Sequence, residues 1–151
     1  MSSLLLALAL LTTGLYAGFL LTFLIAIMPG IAALPDERFT DAMRRFNERV
    51  PGPLFLVLFV GVIVLPAAVV VTRGGNAVAG RSWAVTALGC ALGSHLVTIT
   101  GNIPLNKALA TSEGGDDRAA RTAFEARWNT LHRIRTVLSL AAFALLVVAA
   151  R

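Results

Sequence analysis

Gly93 to Asn106 reads GSHLVTITGNIPLN. The stretch starts inside an apolar run and finishes at its polar end. It carries one histidine, two threonines and two asparagines, with a proline between the asparagines. On a helix, residues spaced by 3, 4 and 7 share a face. His95, Thr98 and Asn102 fit that spacing, and Asn106 joins them if the helix survives Pro104.

The chain around this stretch is apolar. Of 151 residues, 57% are hydrophobic and 14% are charged, against about a quarter charged in a soluble domain. Mean hydropathy is +0.79. No Lys, Arg, Asp or Glu occurs from Met1 to Pro35, from Val50 to Thr72, or from Ser82 to Asn106. A bilayer selects such gaps, because a charge at mid-membrane costs roughly 2.5–3.5 kcal/mol on insertion scales. The net charge of +5 therefore points to topology and anionic headgroups rather than to nucleic acid. The single cysteine, Cys90, makes no internal disulfide and no CxxC site.

The expected architecture is an all-α bundle of four transmembrane helices in one domain. The spans fall at about 4–28, 54–72, 82–101 and 131–150. The first run has no basic leader and is too long for a signal peptide, so it reads as a retained helix. Gly14/Gly18 and Gly89/Gly93 are small-xxx-small pairs that favour close helix packing, including homo-oligomers. Tyr16, near mid-run, needs a hydrogen-bond partner. Met28-Pro29-Gly30 ends the first span. Between spans one and two, Phe39, Met43, Phe46 and Val50 form one apolar face, which predicts an amphipathic helix at the interface with its charged face solvated. Pro66 predicts a kink in the second span. Arg73 to Arg81 reads as a polar turn, and Trp83 as an interfacial aromatic. Lys107 to Asp117 reads as a loop broken at Glu113-Gly114-Gly115-Asp116, with Asp116 or Asp117 capping the next helix.

The last uncharged run, Thr136 to Ala150, is short for a span. The helix is therefore expected to begin near Asp117 and to enter the membrane around Trp128 to His132. That brings His132, Arg133 and Arg135 to the membrane, with at least one pointing into the bundle. Arg73, Arg81 and Arg151 lie on one side. Arg38, Arg44, Arg45, Arg49, Lys107, Arg118, Arg121 and Arg127 lie on the other. This places the first and third loops in the cytoplasm, in a bacterial plasma membrane.

Glu125, Trp128, His132 and Arg135 form a second stripe, on the fourth span. Two polar stripes most economically face each other, each answering the other's hydrogen bonds where water cannot. Glu125 can pair with Arg121 or Arg135. The expected pocket is lined by Asn102, Asn106, Trp128 and His132, with His95 deeper and aromatic residues of the first span alongside. Each residue also has a plain structural reading. His95 can bond helix to helix, the asparagines can cap, Trp128 can anchor at the interface and Arg135 can snorkel. Two histidines and no carboxylate within the spans do not complete a structural zinc site, so no metal is expected. The chain has no GxGxxG, P-loop or GxSxG motif.

NIPLNxxLA at Asn102 to Ala110, FExxW at Phe124 to Trp128, and PxPLF at Pro51 to Phe55 resemble the signature of the anthrone oxygenase-like membrane proteins, also termed DUF1772. Leu131-His132 stands where that family often has Trp-Asn. The resemblance implies a small four-span protein. It further implies oxidation of a hydroxyaromatic or polyketide-like substrate by molecular oxygen, without an added cofactor. His132 would then be the base, with His95 as second candidate. Asn102, Asn106 and Arg135 would hold the oxyanion, and Trp128 would stack on the substrate. The alternative is a non-enzymatic membrane protein binding a small molecule or a partner subunit, its polar residues acting as interhelical glue.

Overall fold

The computed structural model describes residues 2–72 and 78–151. Among the described residues all regular structure is helical. Four helices are long and apolar enough to cross a membrane: Ser3–Ala32, Pro53–Thr72, Gly80–Thr111 and Asp117–Ala149. They fit an integral membrane protein. Their outward residues, such as Leu4, Leu54, Val71 and Val137, are large, apolar and exposed. In hydrocarbon this costs nothing, because lipid tails are as apolar as the side chains. The third and fourth spans share the most extensive interface, and the first packs on the second and fourth. The turn read at Arg73 to Arg81 falls mostly on residues outside the described set, while Gly80 and Arg81 already belong to the third helix.

The first and third spans both run through prolines, of which Pro29 was expected to end its span. The device is the same in each. Phe23–Ile27 and Thr98–Asn102 are wide π turns, closed by Met28 N–H donating to the Phe23 carbonyl and by Ile103 N–H donating to that of Thr98. Pro29 and Pro104 follow directly. A proline removes a donor and crowds the carbonyl four residues back. A wide turn shifts the bonding register there and lets the helix continue. The helix survives Pro104, so Asn102 and Asn106 share its face, and it runs on through Lys107 to Thr111, a stretch that read as loop. Pro66 lies within the unbroken second helix.

The fourth helix has 33 residues and is capped by Asp116, whose side chain accepts from the N–H groups of Arg118 and Ala119 at 2.9 and 3.2 Å. At 1.5 Å per residue it is about 50 Å long, some 20 Å more than the hydrocarbon needs. The extra length carries the helix Asp36–Arg49. Phe39 and Met43 of that helix are buried with Phe23, Met28, Leu109, Phe124 and Trp128. The amphipathic helix therefore seats its apolar face on the end of the bundle as a cap.

Two arginines bolt the cap down. Arg44 is buried, although its face was expected to be solvated. It reaches Asp117 at 3.2 Å, the Leu109 carbonyl at 3.1 Å and Ser112 Oγ at 3.2 Å. Thr40 Oγ1 donates to the same Asp117 oxygen at 2.7 Å. Arg121 donates to Glu125, to Asp36 and to the Ala32 and Leu34 carbonyls at the end of the first span.

The expected small-residue pairs divide. A Cβ on Gly14 would meet Phe143 at 3.0 Å and one on Gly93 would meet Leu138 at 3.4 Å, whereas Gly18 and Gly89 have nothing within 4 Å. The tightest approaches fall on glycines outside those pairs. A Cβ on Gly61 would lie 2.9 Å from Thr12, and one on Gly101 would lie 2.7 Å from Leu131.

Gly101→Ala is expected to destabilise by about 1–3 kcal/mol through overpacking, with Gly89→Ala neutral; equal melting temperatures in detergent would contradict this packing. Asp117→Ala leaves Arg44 only the longer ion pair to Asp41, at 3.5 Å, and should cost about 1–3 kcal/mol. That loss would appear as a lower Tm and faster amide exchange in Asp36–Arg49.

Candidate functional site

Under the cap, a cavity of about 160 Å³ opens between the first three spans, with the fourth behind it. One wall is aromatic: Phe19, Phe23, Phe46, Phe55 and Phe59. Phe19 and Phe23 have centroids 5.3 Å apart, Phe23 and Phe46 5.6 Å, and Phe55 stacks on Phe59 at 5.7 Å. The polar groups are Asn47, Thr98, Asn102, Asn106 and Arg135, with Trp128 beside them. The wide turns of the first and third spans thus contribute Phe23 from one side and Thr98 and Asn102 from the other.

The two polar stripes meet here. Asn102 Nδ2 donates to the Trp128 carbonyl at 3.3 Å. Trp128 Nε1 donates to Asn106 Oδ1 at 2.8 Å. Two helical turns deeper, Ser94 Oγ donates to the Arg135 carbonyl at 3.0 Å and lies 2.9 Å from Ser139 Oγ. These bonds orient both carboxamides. Asn106 has its oxygen occupied and its N–H₂ end free to donate. Asn102 is 0% exposed. One N–H of its Nδ2 goes to the Trp128 carbonyl, and its Oδ1 has no partner. Asn102 therefore adds an unanswered acceptor to the cavity lining, beside the second N–H of its amide.

Arg135 is 9% exposed and borders the cavity. Its Nε donates to His132 Nδ1 at 2.9 Å, its Nη1 lies 3.4 Å from Thr98 Oγ1, and its guanidinium sits 5.4 Å from the Trp128 ring centre. None of the ion pairs among the described residues includes it. Glu125, one expected partner, is taken by Arg121 at 2.7 Å. Arg133 is exposed, so of the two arginines at the boundary only Arg135 turns inward.

His132 is fully buried but does not border the cavity. Because its Nδ1 accepts from Arg135, the ring proton sits on Nε2, which donates to the Leu20 carbonyl at 3.0 Å. Both nitrogens are engaged, so His132 presents no free base to the cavity. Trp128 stacks on His132 at 4.7 Å and 15° and packs against Phe124 at 5.9 Å. It meets the cavity from within that stack, and the open aromatic surface is the phenylalanine wall. His95 lies outside the lining as well. Its Nδ1 is 3.0 Å from the Ala91 carbonyl and its Nε2 is 2.7 Å from that of Phe59, whose ring it stacks on at 4.0 Å. It ties the third span to the second.

Tyr16 is 0% exposed. Its hydroxyl faces Thr98, Ser94 and Arg135 without closing a hydrogen bond of good geometry. Phe46, Asn47 and the Phe55/Phe59 wall joined the site without being singled out from the sequence. The signal was present in the aromatic spacing of 4 from Phe19 to Phe23 and from Phe55 to Phe59. Among the described residues no group of three His, Cys, Asp or Glu side chains is placed to hold a metal ion.

If Arg135 is kept for a ligand, its charge should be no asset to stability. Arg135→Met is expected to keep or raise Tm, while His132→Leu, which leaves the guanidinium short of a partner, should cost about 1–3 kcal/mol. A lower Tm for Arg135→Met than for His132→Leu would assign the arginine to structure.

No curated protein and no solved structure matches this chain. The sequence pattern of the family described as anthrone oxygenase matches residues 39–145, from the cap helix through most of the fourth span. With the cap, the third span's polar face and the Trp128–Arg135 stripe all inside that match, the chain belongs to the anthrone oxygenase family.

Proposed function

We propose that the protein is a cofactor-independent oxygenase for a hydroxyaromatic, anthrone-like substrate. The observation that carries this reading is Arg135, a guanidinium buried against an aromatic cavity and without a carboxylate among the described residues. An enclosed cation of this kind favours an anion beside it, since its field is little screened there. Family membership supports the same chemistry.

An anthrone has a CH₂ made acidic by two flanking rings and a carbonyl. Loss of its proton gives an enolate whose oxygen would accept from Arg135 and from the free N–H₂ end of Asn106. The enclosed part of its ring system would lie against Phe19, Phe23, Phe55 and Phe59. With no ring nitrogen free at the cavity, the proton leaves to interfacial water at headgroup level. The electron-rich carbon then reduces molecular oxygen. Overall the CH₂ loses two hydrogens and gains one oxygen as a carbonyl, and the second oxygen atom leaves as water. His132 acts through Arg135 as a positioning residue, since it fixes the guanidinium without touching substrate. The surplus of arginine on the cap side supports placing that side in the cytoplasm of a bacterial plasma membrane.

A non-catalytic binder is the second reading, and the engaged nitrogens of His132 and His95 favour it. Oxygen uptake separates the two. Purified protein with anthrone should consume oxygen above the detergent blank, and Arg135→Met should cut the initial rate at least tenfold. Saturable anthrone binding without uptake would leave the binder.

A further inference from the structure

The proposed function leaves two features of the cavity unused: the orphan oxygen of Asn102 and the position of the opening. Of the cavity's lining residues only Pro51, Leu56 and Ile103 are exposed, Leu56 by 48% and Ile103 by 38%. All three are apolar. Leu56 lies one turn into the second span, and Ile103 follows the wide turn of the third. The opening therefore sits between these two spans, at the level where hydrocarbon gives way to headgroups. The aqueous end is covered by the cap through Phe46, Asn47 and Val50, and the Trp128–Asn106 bond closes the side toward the fourth span.

Asn102 Oδ1 is a carbonyl oxygen enclosed without a donor. Leaving such an atom unpaired costs about 1–3 kcal/mol, which a ligand O–H pointed at it would recover. The cavity, at about 160 Å³, is close to the roughly 150 Å³ apolar cavity known to hold benzene. It encloses one ring, and anything larger extends through the mouth.

We infer that the site recognises a lipid-dissolved phenol, which enters from the bilayer between Leu56 and Ile103 with its hydroxylated ring first and donates that hydroxyl to Asn102. This inference deepens the proposed function and rests on the same cavity. The ligand hydroxyl held by Asn102 stays protonated and serves recognition. It is distinct from the oxygen that takes charge beside Arg135 and Asn106. Asn102 is then a specificity residue that rejects the matching ether.

The chain has two tryptophans, so Trp83→Phe leaves Trp128 at the cavity as the sole indole. In lipid nanodiscs, 4-bromophenol and 4-bromoanisole differ by one methyl group, and the bromine of each quenches indole fluorescence on contact. At equal bilayer mole fraction, 4-bromophenol should quench Trp128 saturably, with half-saturation at least tenfold below that of the ether. Asn102→Leu should reduce this ratio to less than threefold. Leu56→Phe combined with Ile103→Phe should slow the onset of quenching at least fivefold. Equal half-saturation for the two probes on the Trp83→Phe protein overturns the inference, as does an onset rate untouched by the double phenylalanine variant. If Asn102→Leu does not fold, the phenol–ether comparison decides alone. Anthrone-dependent oxygen uptake without phenol–ether discrimination sinks this inference and leaves the oxygenase reading standing. Discrimination without uptake does the reverse.

Discussion

A guanidinium held between four apolar helices dictates much of what surrounds it. Arg135 cannot shed its charge, so its neighbours must supply acceptors. The imidazole of His132 does so, and this fixes its tautomer, which in turn needs the Leu20 carbonyl of the first span. Thr98 leans in from the third span, and Ser94 holds the Arg135 backbone. One charge thereby couples three of the four spans and defines the floor of the cavity.

The arginines of the cap differ. Arg44 has Asp117, and Arg121 has Asp36 and Glu125, together with backbone carbonyls at helix ends. Those two are compensated, and they lie where the cap meets the bundle. Among the described residues Arg135 has only neutral acceptors, and it lies where the cavity is. Desolvating a charge without a counter-charge is expensive. The cap arginines are compensated in place, and Arg135 is the one left beside open space.

Much of the architecture could be read from residue order. Long uncharged runs gave the spans, because charge is the one thing the bilayer rejects strongly. The spacing of Trp128, His132 and Arg135 gave the inward face of the fourth helix, and Asp116 gave its start. The readings that failed depend on choices made in three dimensions. Pro29 looked like a stop and Pro104 left the helix beyond it open, since nothing local announces that a wide turn will carry the helix past them. Arg44 looked solvated because its partner, Asp117, is 73 residues away. Gly101 and Gly61 were passed over because the rotation of each helix decides which glycine meets a neighbour. The bond from Asn102 to the Trp128 carbonyl was out of reach too, because a backbone group has no side-chain signature.

The wide turns also fix a phase. A turn closed over five residues absorbs one residue more than an α-helical turn would. Deleting one residue from Phe23–Ile27 or Thr98–Asn102 would return the helix to regular winding with its flanks still in phase, whereas a deletion upstream in either span would swing everything beyond by about 100° around the helix axis. In the first span such a swing would carry Met28 and Ile31 off the cap, and in the third it would turn Asn106 away from Trp128. The wide turns are thus the places where these two spans can lose a residue and keep their faces.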